Sequence, residues 1–229
     1  MTKKLSRIAT HIILIILAFS AIFPLYWMIV SSLKNGSDIF GYDLIAANPT
    51  FDNYAAAFTT VPLLKMMFNS VVVSLGTALI QLAVAVLFAY AFTRWNFKGK
   101  TIVYGVLSVT WLIPVQAIMI PNYVEIINMG MNNTLIAMIL PHCCSVFANI
   151  SMYQNFNSMP KALIDAARMD GSSELQILKD IVMPNMKSSI ASLGIVLVIT
   201  AWNDYLWPTL IARTDDIKPI QIGLKSFTG

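Results

Sequence analysis

The stretch Ser158–Lys187 reads SMPKALIDAARMDGSSELQILKDIVMPNMK and interrupts a chain that is otherwise largely hydrophobic. It predicts two short helices separated at Gly171, because glycine adopts the positive φ that such a turn requires without a side-chain clash. Pro160 suits the first turn of the first helix, where the N–H that proline lacks would be unpaired anyway. Ser173 and Gln176 form a capping-box pattern, which predicts the start of the second helix.

The two predicted helices differ in their surfaces. The second carries apolar residues at helical spacing, which predicts one buried face made of Leu175, Leu178, Ile181 and Val182. Its end is predicted at Pro184, because proline cannot continue the hydrogen-bond pattern. The first helix carries small residues that permit close approach to another surface, namely Ala162, Ala166 and Ala167. A polar segment of this kind between hydrophobic runs is expected to dock on a partner.

The spacing of this stretch resembles the EAA loop of ABC importer permeases. The matching residues are Asp165-Ala166-Ala167, then Gly171 after three residues, then Ile181-Val182-Met183-Pro184 after nine more. The family pattern has Glu where this chain has Asp165, and Leu where it has Met183. The resemblance implies a contact with a separate ATP-binding subunit through Asp165, Ala166, Ala167, Asp170, Gly171 and Pro184. The alternative is a cytoplasmic helical hairpin that packs only on its own bundle.

Composition indicates an integral membrane protein. Hydrophobic residues make up 57% of the chain and charged residues 11%, with a mean hydropathy of +0.70, whereas soluble domains carry about 25% charged residues. The net charge of +4 comes from basic residues beside hydrophobic runs, so no nucleic-acid partner is predicted. The adjacent cysteines Cys143 and Cys144 predict neither a disulfide nor a metal site.

Five hydrophobic segments have about the length needed to cross a bilayer, and they predict an all-α, polytopic transmembrane bundle. They are residues 12–33, 66–93, 101–123, 134–153 and 188–211. Lys and Arg are concentrated near the N-terminus, in residues 94–100 and in 158–187. The positive-inside rule therefore predicts that these three regions are cytoplasmic and that residues 34–65 are external.

Three further segments resemble carbohydrate-type permeases of the maltose type: residues 48–54 (NPTFDNY), Phe68-Asn69-Ser70 and the pair Trp202-Asn203. This resemblance implies a sugar or short oligosaccharide as the solute. A neutral, hydroxyl-rich solute needs hydrogen bonds and aromatic faces more than charge, and the hydrophobic segments contain few charges. The family has six spans, so the resemblance implies that this chain lacks the last span and that its C-terminus is truncated.

No enzyme chemistry is predicted, because no nucleophile or acid–base pair lies at a recognisable spacing. Gly99-Lys100-Thr101 ends like a phosphate-binding loop, but the position of its first glycine is Arg94, so this chain is expected to need no cofactor and to leave ATP to a partner. His142 falls near mid-membrane, where it either lines the solute pathway or is a neutral histidine hydrogen-bonded in the bundle. No carboxylate in the sequence is an obvious partner for it. Trp202 and Asn203 either belong to the pathway's outer mouth or to an interfacial belt.

The sequence thus predicts the permease subunit of a binding-protein-dependent, ATP-driven importer in the cell membrane, with a cytoplasmic N-terminus. The partners that the resemblance implies are an ATP-binding subunit, a second permease subunit, an extracytoplasmic solute-binding protein, the sugar and membrane lipid. ATP binding is expected to move the docked loops and so shift the spans between inward-open and outward-open arrangements. One alternative is a membrane-embedded structural or regulatory protein without transport. A third option is an integral membrane enzyme.

Overall fold

The computed structural model describes residues 2–36, 38 and 41–227. Within these residues the secondary structure is entirely helical, in agreement with the all-α prediction. The chain forms two compact units, one ending at Pro62 and the other beginning at Leu63. The first contains α1 (Thr2–Ser32) and α2 (Asp52–Thr60).

The second unit contains the remaining helices: α3 (Leu63–Arg94), α4 (Lys100–Thr110), α5 (Val115–Asn128), α6 (Leu135–Ile139), α7 (Val146–Asn157), α8 (Lys161–Met169), α9 (Glu174–Gln176), α10 (Met183–Asn185), α11 (Lys187–Trp202), α12 (Leu206–Ile211) and α13 (Ile220–Gly223). Short 3₁₀ turns cover Leu140–His142 and Leu224–Phe227. A π-helix, Ile177–Val182, joins α9 to α10.

In the first unit, α1 is apolar and its described side chains are largely exposed. A helix that is hydrophobic around its circumference is suited to a lipid environment. The segment after it folds back on its end, because Asn53 Nδ2 donates hydrogen bonds to the carbonyls of Ser32 (3.0 Å) and Lys34 (2.7 Å). Lys34 is itself buried, with its ammonium 4.7 Å from the centroid of the Trp27 ring.

In the second unit, α3 is the central helix and packs chiefly against α7 and α11. Its small residues lie at spacings of four, and they are buried: Ser70, Ser74, Ala78, Ala85 and Ala89. Small side chains at this spacing let neighbouring backbones approach closely. The pattern therefore reports bundle packing, as the sequence indicated.

The membrane-spanning helices differ in continuity. Ser6–Ser32 and Leu63–Arg94 are each long and apolar enough to cross a bilayer alone. Three further candidate spans are bent pairs: Lys100–Thr110 with Val115–Asn128 at 95°, Leu135–His142 with Val146–Asn157 at 50°, and Glu174–Asn185 with Lys187–Trp202 at 79°. If each pair is one span, the described chain has up to five.

Local chemistry accounts for the breaks. Pro114 is extended (ψ 134°) at the junction of α4 and α5, where it has no N–H to donate. Ser145 caps α7 through a hydrogen bond from the Ala148 N–H to its hydroxyl (3.2 Å). In residues 188–211, the helix ends at Trp202, and Asn203 Nδ2 bonds back to the Ile199 carbonyl (2.8 Å). That region therefore consists of two helices rather than one.

Candidate functional site

Two regions of the second unit carry the residues singled out from sequence: the loop between α7 and α11, and a cavity beside α3. In the loop, Gly171 has a φ of +78° and follows α8, so the predicted left-handed turn is confirmed. A β-carbon at Gly171 would meet no atom within 4 Å, so the backbone conformation rather than crowding selects glycine. The predicted capping box is also confirmed, since the Ser173 N–H donates to Gln176 Oε1 (2.8 Å) and the Ser173 hydroxyl accepts from the Gln176 N–H.

The outer surface of the loop contains most of the residues predicted to dock. The side chains that are exposed there include Asp165, Ala166, Asp170, Gly171 and Pro184. Ala167 lies on the opposite face of α8 and is only 5% exposed, in the same buried cluster as Ile164. The residues predicted to dock are therefore exposed except for Ala167, whose methyl group packs inside this chain.

The predicted apolar face of the second helix is wrong in one respect. Leu175 is 73% exposed, while Ile177 is fully buried in its place beside Leu178 and Val182. The reason is the π-helix, which has more residues per turn than an α-helix and so changes which positions share a face. The helical segment also continues through Pro184 to Asn185 before it bends into α11.

Two large apolar side chains of the loop are exposed, and sequence reasoning missed both. Met169 is 88% exposed, and Leu175 lies exposed across the Gly171 turn from it. Large apolar side chains exposed on an otherwise polar loop mark interaction surfaces. The sequence did offer one indication of this surface, because Met169 is a large apolar residue directly before the motif residues Asp170 and Gly171.

A polar contact ties the loop to α3. Arg168 donates from Nε (2.9 Å) and Nη2 (2.7 Å) to Glu174 Oε1, which joins the end of α8 to the start of α9. The hydroxyl of Tyr90 on α3 donates to the other carboxylate oxygen of Glu174. The hydrogen bond from Tyr90 and the bonds and charge of Arg168 hold the pKa of the Glu174 carboxyl below its ordinary value. Arg94 lies 5.9 Å from the centroid of the Tyr90 ring on the same side.

The second region is a cavity of about 340 Å³ between α3, α5, α6, α11 and α12. Its wall is mainly apolar, with polar side chains from separate parts of the chain: Thr77, Gln81, His142, Thr200 and Asp204. Gln81 Nε2 donates to the His142 backbone carbonyl (2.6 Å), which fixes the 3₁₀ turn against α3.

The His142 ring is both packed and placed on the cavity wall. It lies edge-on to Trp207 with the ring centroids 6.0 Å apart, and Nδ1 is 3.3 Å from the Met138 carbonyl. Trp207 is buried and donates its indole N–H to the Ala137 carbonyl (3.0 Å). The imidazole is therefore held in place while the cavity remains beside it.

The other predicted pathway residues lie next to the cavity wall rather than in it. Trp202 is half-buried and Asn203 is the exposed C-cap of α11, and the residues that line the cavity there are Ala201 and Asp204. Asp204 supplies the carboxylate near His142 that the sequence did not reveal. It reaches the wall because α11 ends at Trp202, a break that the hydrophobic pattern does not show. Within the described residues, no group of three or more His, Cys, Asp or Glu side chains is arranged to hold a metal ion.

Comparisons with known proteins agree on one family. A family profile described as the binding-protein-dependent transport system inner membrane component matches residues 81–224. The chain is 34% identical to the lactose transport system permease protein LacG of Rhizobium radiobacter, over 98% of this chain and 82% of the relative. It is 32% identical to the arabinooligosaccharides transport system permease protein AraQ of Halalkalibacterium halodurans, over 98% and 83%.

Two further matches concern anionic solutes. The sn-glycerol-3-phosphate transport system permease protein UgpE of Agrobacterium fabrum is 28% identical, over 97% of this chain and 82% of the relative. A crystal structure of a bacterial ABC transporter involved in the import of the acidic polysaccharide alginate superposes with a TM-score of 0.87 at 23% identity, covering 98% of this chain and 80% of that one. This last likeness concerns the fold.

Proposed function

This chain belongs to the family of binding-protein-dependent transport system inner membrane components, and we propose that it forms part of the solute path of an ATP-driven importer for sugars or oligosaccharides. Its relatives are transport permeases rather than enzymes. A structural or regulatory protein without transport is not favoured, because the family match covers the loop and the cavity-lining residues from Gln81 onward.

The observation that carries the proposal is the outward surface of the loop. Asp165, Ala166 and Gly171 lie exposed beside Met169 and Leu175, so a small-residue helix is flanked by apolar side chains that water does not favour. Such a surface fits a groove on a separate, ATP-hydrolysing subunit. The opposite face of the loop is packed on this chain's own core, so a force applied at the surface is passed to the bundle.

The tie between Glu174 and Tyr90 supports the same role. When ATP draws two ATP-binding subunits together, the docked loop moves, and the contact with α3 makes the central helix move with it. The resulting change between inward-open and outward-open arrangements requires contacts that differ in the two states. A second permease subunit and an extracytoplasmic solute-binding protein complete this scheme, and the N-terminus lies on the cytoplasmic side.

The sugar assignment rests on the relatives and on the cavity. LacG and AraQ are described as carriers of lactose and arabinooligosaccharides. The cavity offers hydroxyl, amide, imidazole and carboxylate groups on a mainly apolar wall, which is the composition of a small-molecule site. These groups match the donors and acceptors of a solute rich in hydroxyl groups.

Matched cysteine variants test the docking. In a chain with Cys143→Ser and Cys144→Ser, a photoreactive maleimide is attached to Ala166→Cys or to Ala167→Cys, and the chain is assembled with its ATP-binding subunit. Ala166→Cys should crosslink to that subunit with a yield that changes on adding nucleotide, whereas Ala167→Cys, being buried, should not. Docking through this surface is excluded if the two positions crosslink equally, or if neither does in an assembled complex.

A further inference from the structure

We propose that the cavity beside α3 is a charge-selective solute site, and that Asp204 makes it admit neutral, hydroxyl-rich solutes in preference to anionic ones. The proposal rests on the transport function above and adds which solutes the path accepts. Family membership does not decide this point, because the relatives include carriers of lactose and of sn-glycerol-3-phosphate.

The charge of the wall is the first observation. Among the described residues that line the cavity, Asp204 is the only Asp, Glu, Lys or Arg. An anion in the cavity would therefore face a carboxylate without a compensating ammonium or guanidinium group. Like charges a few ångströms apart repel strongly where water is largely excluded.

The second observation is that key polar groups of the wall are unpaired. Over the described part of the chain, the side chains of Thr77 and Asp204 make no hydrogen bond or ion pair with another residue. Thr77 is only 4% exposed, so its hydroxyl faces little but the cavity. A polar group on a cavity wall that has no protein partner is free to form hydrogen bonds with a ligand.

The third observation is that other groups are oriented by the protein. The Gln81 amide N–H is used by the His142 carbonyl and Nδ1 of His142 lies against the Met138 carbonyl, which leaves Gln81 Oε1 and His142 Nε2 for a solute. A sugar hydroxyl donates well to a carboxylate, since such charge-assisted bonds are stronger than neutral ones. A phosphate or uronate has only acceptors to offer Asp204 at its charged end.

The experiment uses charged thiol reagents and needs no knowledge of the natural solute. In the Cys143→Ser, Cys144→Ser background, Thr200→Cys in the cavity wall reports on access, and Ala201→Cys repeats the measurement at a second wall position. The rates of modification by a cationic and an anionic methanethiosulfonate of similar size are compared in membranes. The cationic reagent should react at least about threefold faster, and Asp204→Asn should bring the ratio close to one.

Ala166→Cys in the exposed loop is the matched control, since its reagent ratio should not change with Asp204→Asn. The proposal is overturned if Asp204→Asn leaves the ratio at the wall positions unchanged, if the anionic reagent reacts faster, or if neither reagent reaches either wall position.

A second arm adds a solute, with lactose and its acidic counterpart lactobionate as the probes at equal concentration. Lactose should slow modification of Thr200→Cys more than lactobionate does, and Asp204→Asn should reduce the difference. If neither probe protects while the reagent ratio still depends on Asp204, the charge selectivity stands and the assignment of sugars as solutes fails. If lactobionate protects as well as lactose, the charge selectivity fails.

Discussion

The loop and the cavity use their polar side chains in opposite ways. In the loop, Glu174 uses both carboxylate oxygens, one for Arg168 and one for Tyr90, so its charged group is saturated by this chain. In the cavity, Thr77 and Asp204 reach the wall without partners in the described chain. The first arrangement suits a rigid connector, and the second suits a surface that exchanges partners with a solute.

This difference has an energetic meaning. Paired polar contacts stabilise one arrangement, and here the loss of Glu174 would remove a partner from the buried Tyr90 hydroxyl. Unpaired groups contribute little to stability, and their removal affects binding instead. Substitutions of buried or paired residues in the loop should therefore reduce stability, whereas substitutions in the cavity wall should change solute handling while stability stays nearly constant.

The largest effect is expected at Ala167, which is buried under α8. Ala167→Trp should destabilise the chain by about 3 kcal/mol, because the core has no room for the added ring. Thermal unfolding in detergent measures this, and Ala166→Trp is the control. That exposed substitution should leave the unfolding temperature near wild type and should prevent assembly with the ATP-binding subunit. Equal destabilisation by the two variants would contradict the assigned faces of α8.

The next largest effect is expected when the hydrogen bond between Glu174 and Tyr90 is lost. Glu174→Ala should cost about 2 kcal/mol, since it removes the charged acceptor of the buried Tyr90 hydroxyl, which keeps only its longer hydrogen bond (3.2 Å) to the backbone carbonyl of residue 174. In the assembled complex, ATP hydrolysis should persist while solute uptake per ATP falls, because the loop then moves without α3. Uptake and hydrolysis are measured together in proteoliposomes. Glu174→Gln keeps an acceptor for Tyr90 and should recover part of the ratio, which a general folding defect would not do.

A smaller effect is expected at Gly171. Gly171→Val should cost about 1–2 kcal/mol, because a β-branched residue is strained at a φ of +78°. Gly171→Asn should cost less, since asparagine tolerates the left-handed region better. Unfolding of the two variants under identical conditions gives the comparison. Because the space around this position is open, side-chain size alone predicts that the two variants have similar stability, and that result would contradict the role of φ.

The smallest stability effects are expected in the cavity. Thr77→Val and Asp204→Asn should each change the free energy of unfolding by less than about 0.5 kcal/mol, because neither side chain loses a partner. Both should weaken the apparent affinity for a transported sugar. A loss of stability as large as that of Glu174→Ala would show that these groups are structural, and would remove the distinction between the two regions.

The features that the sequence predicted correctly are those set by local chemistry. The turn at Gly171 depends only on the φ of that residue. The capping box of Ser173 and Gln176 depends only on the first turn of one helix. The exposure of Leu175 was missed because it depends on the π-helix that follows it. A helical wheel drawn with a constant number of residues per turn cannot represent a switch from α-helix to π-helix.

The cavity was missed for a different reason. His142 and Asp204 come to line one cavity only after α6, α11 and the break at Asn203 are arranged in three dimensions. Nothing in the sequence near either residue indicates that the two side chains line the same cavity. The sequence did single out His142 from its depth in a hydrophobic run, and it identified Trp202 and Asn203, which flank the cavity wall without lining it.

The π-helix Ile177–Val182 also changes the directions in which side chains point at the two ends of the helical segment Glu174–Asn185. In an uninterrupted α-helix, with 100° per residue, Glu174 and Val182 would point in directions about 80° apart. A π-helix has more residues per turn, so each of its residues rotates by less than 100° and the two directions come closer together. Glu174 then meets Tyr90 of α3, while Val182 enters the buried cluster that Tyr90 shares. One face of this short helix thus holds α3 twice, by charge at its beginning and by apolar packing at its end.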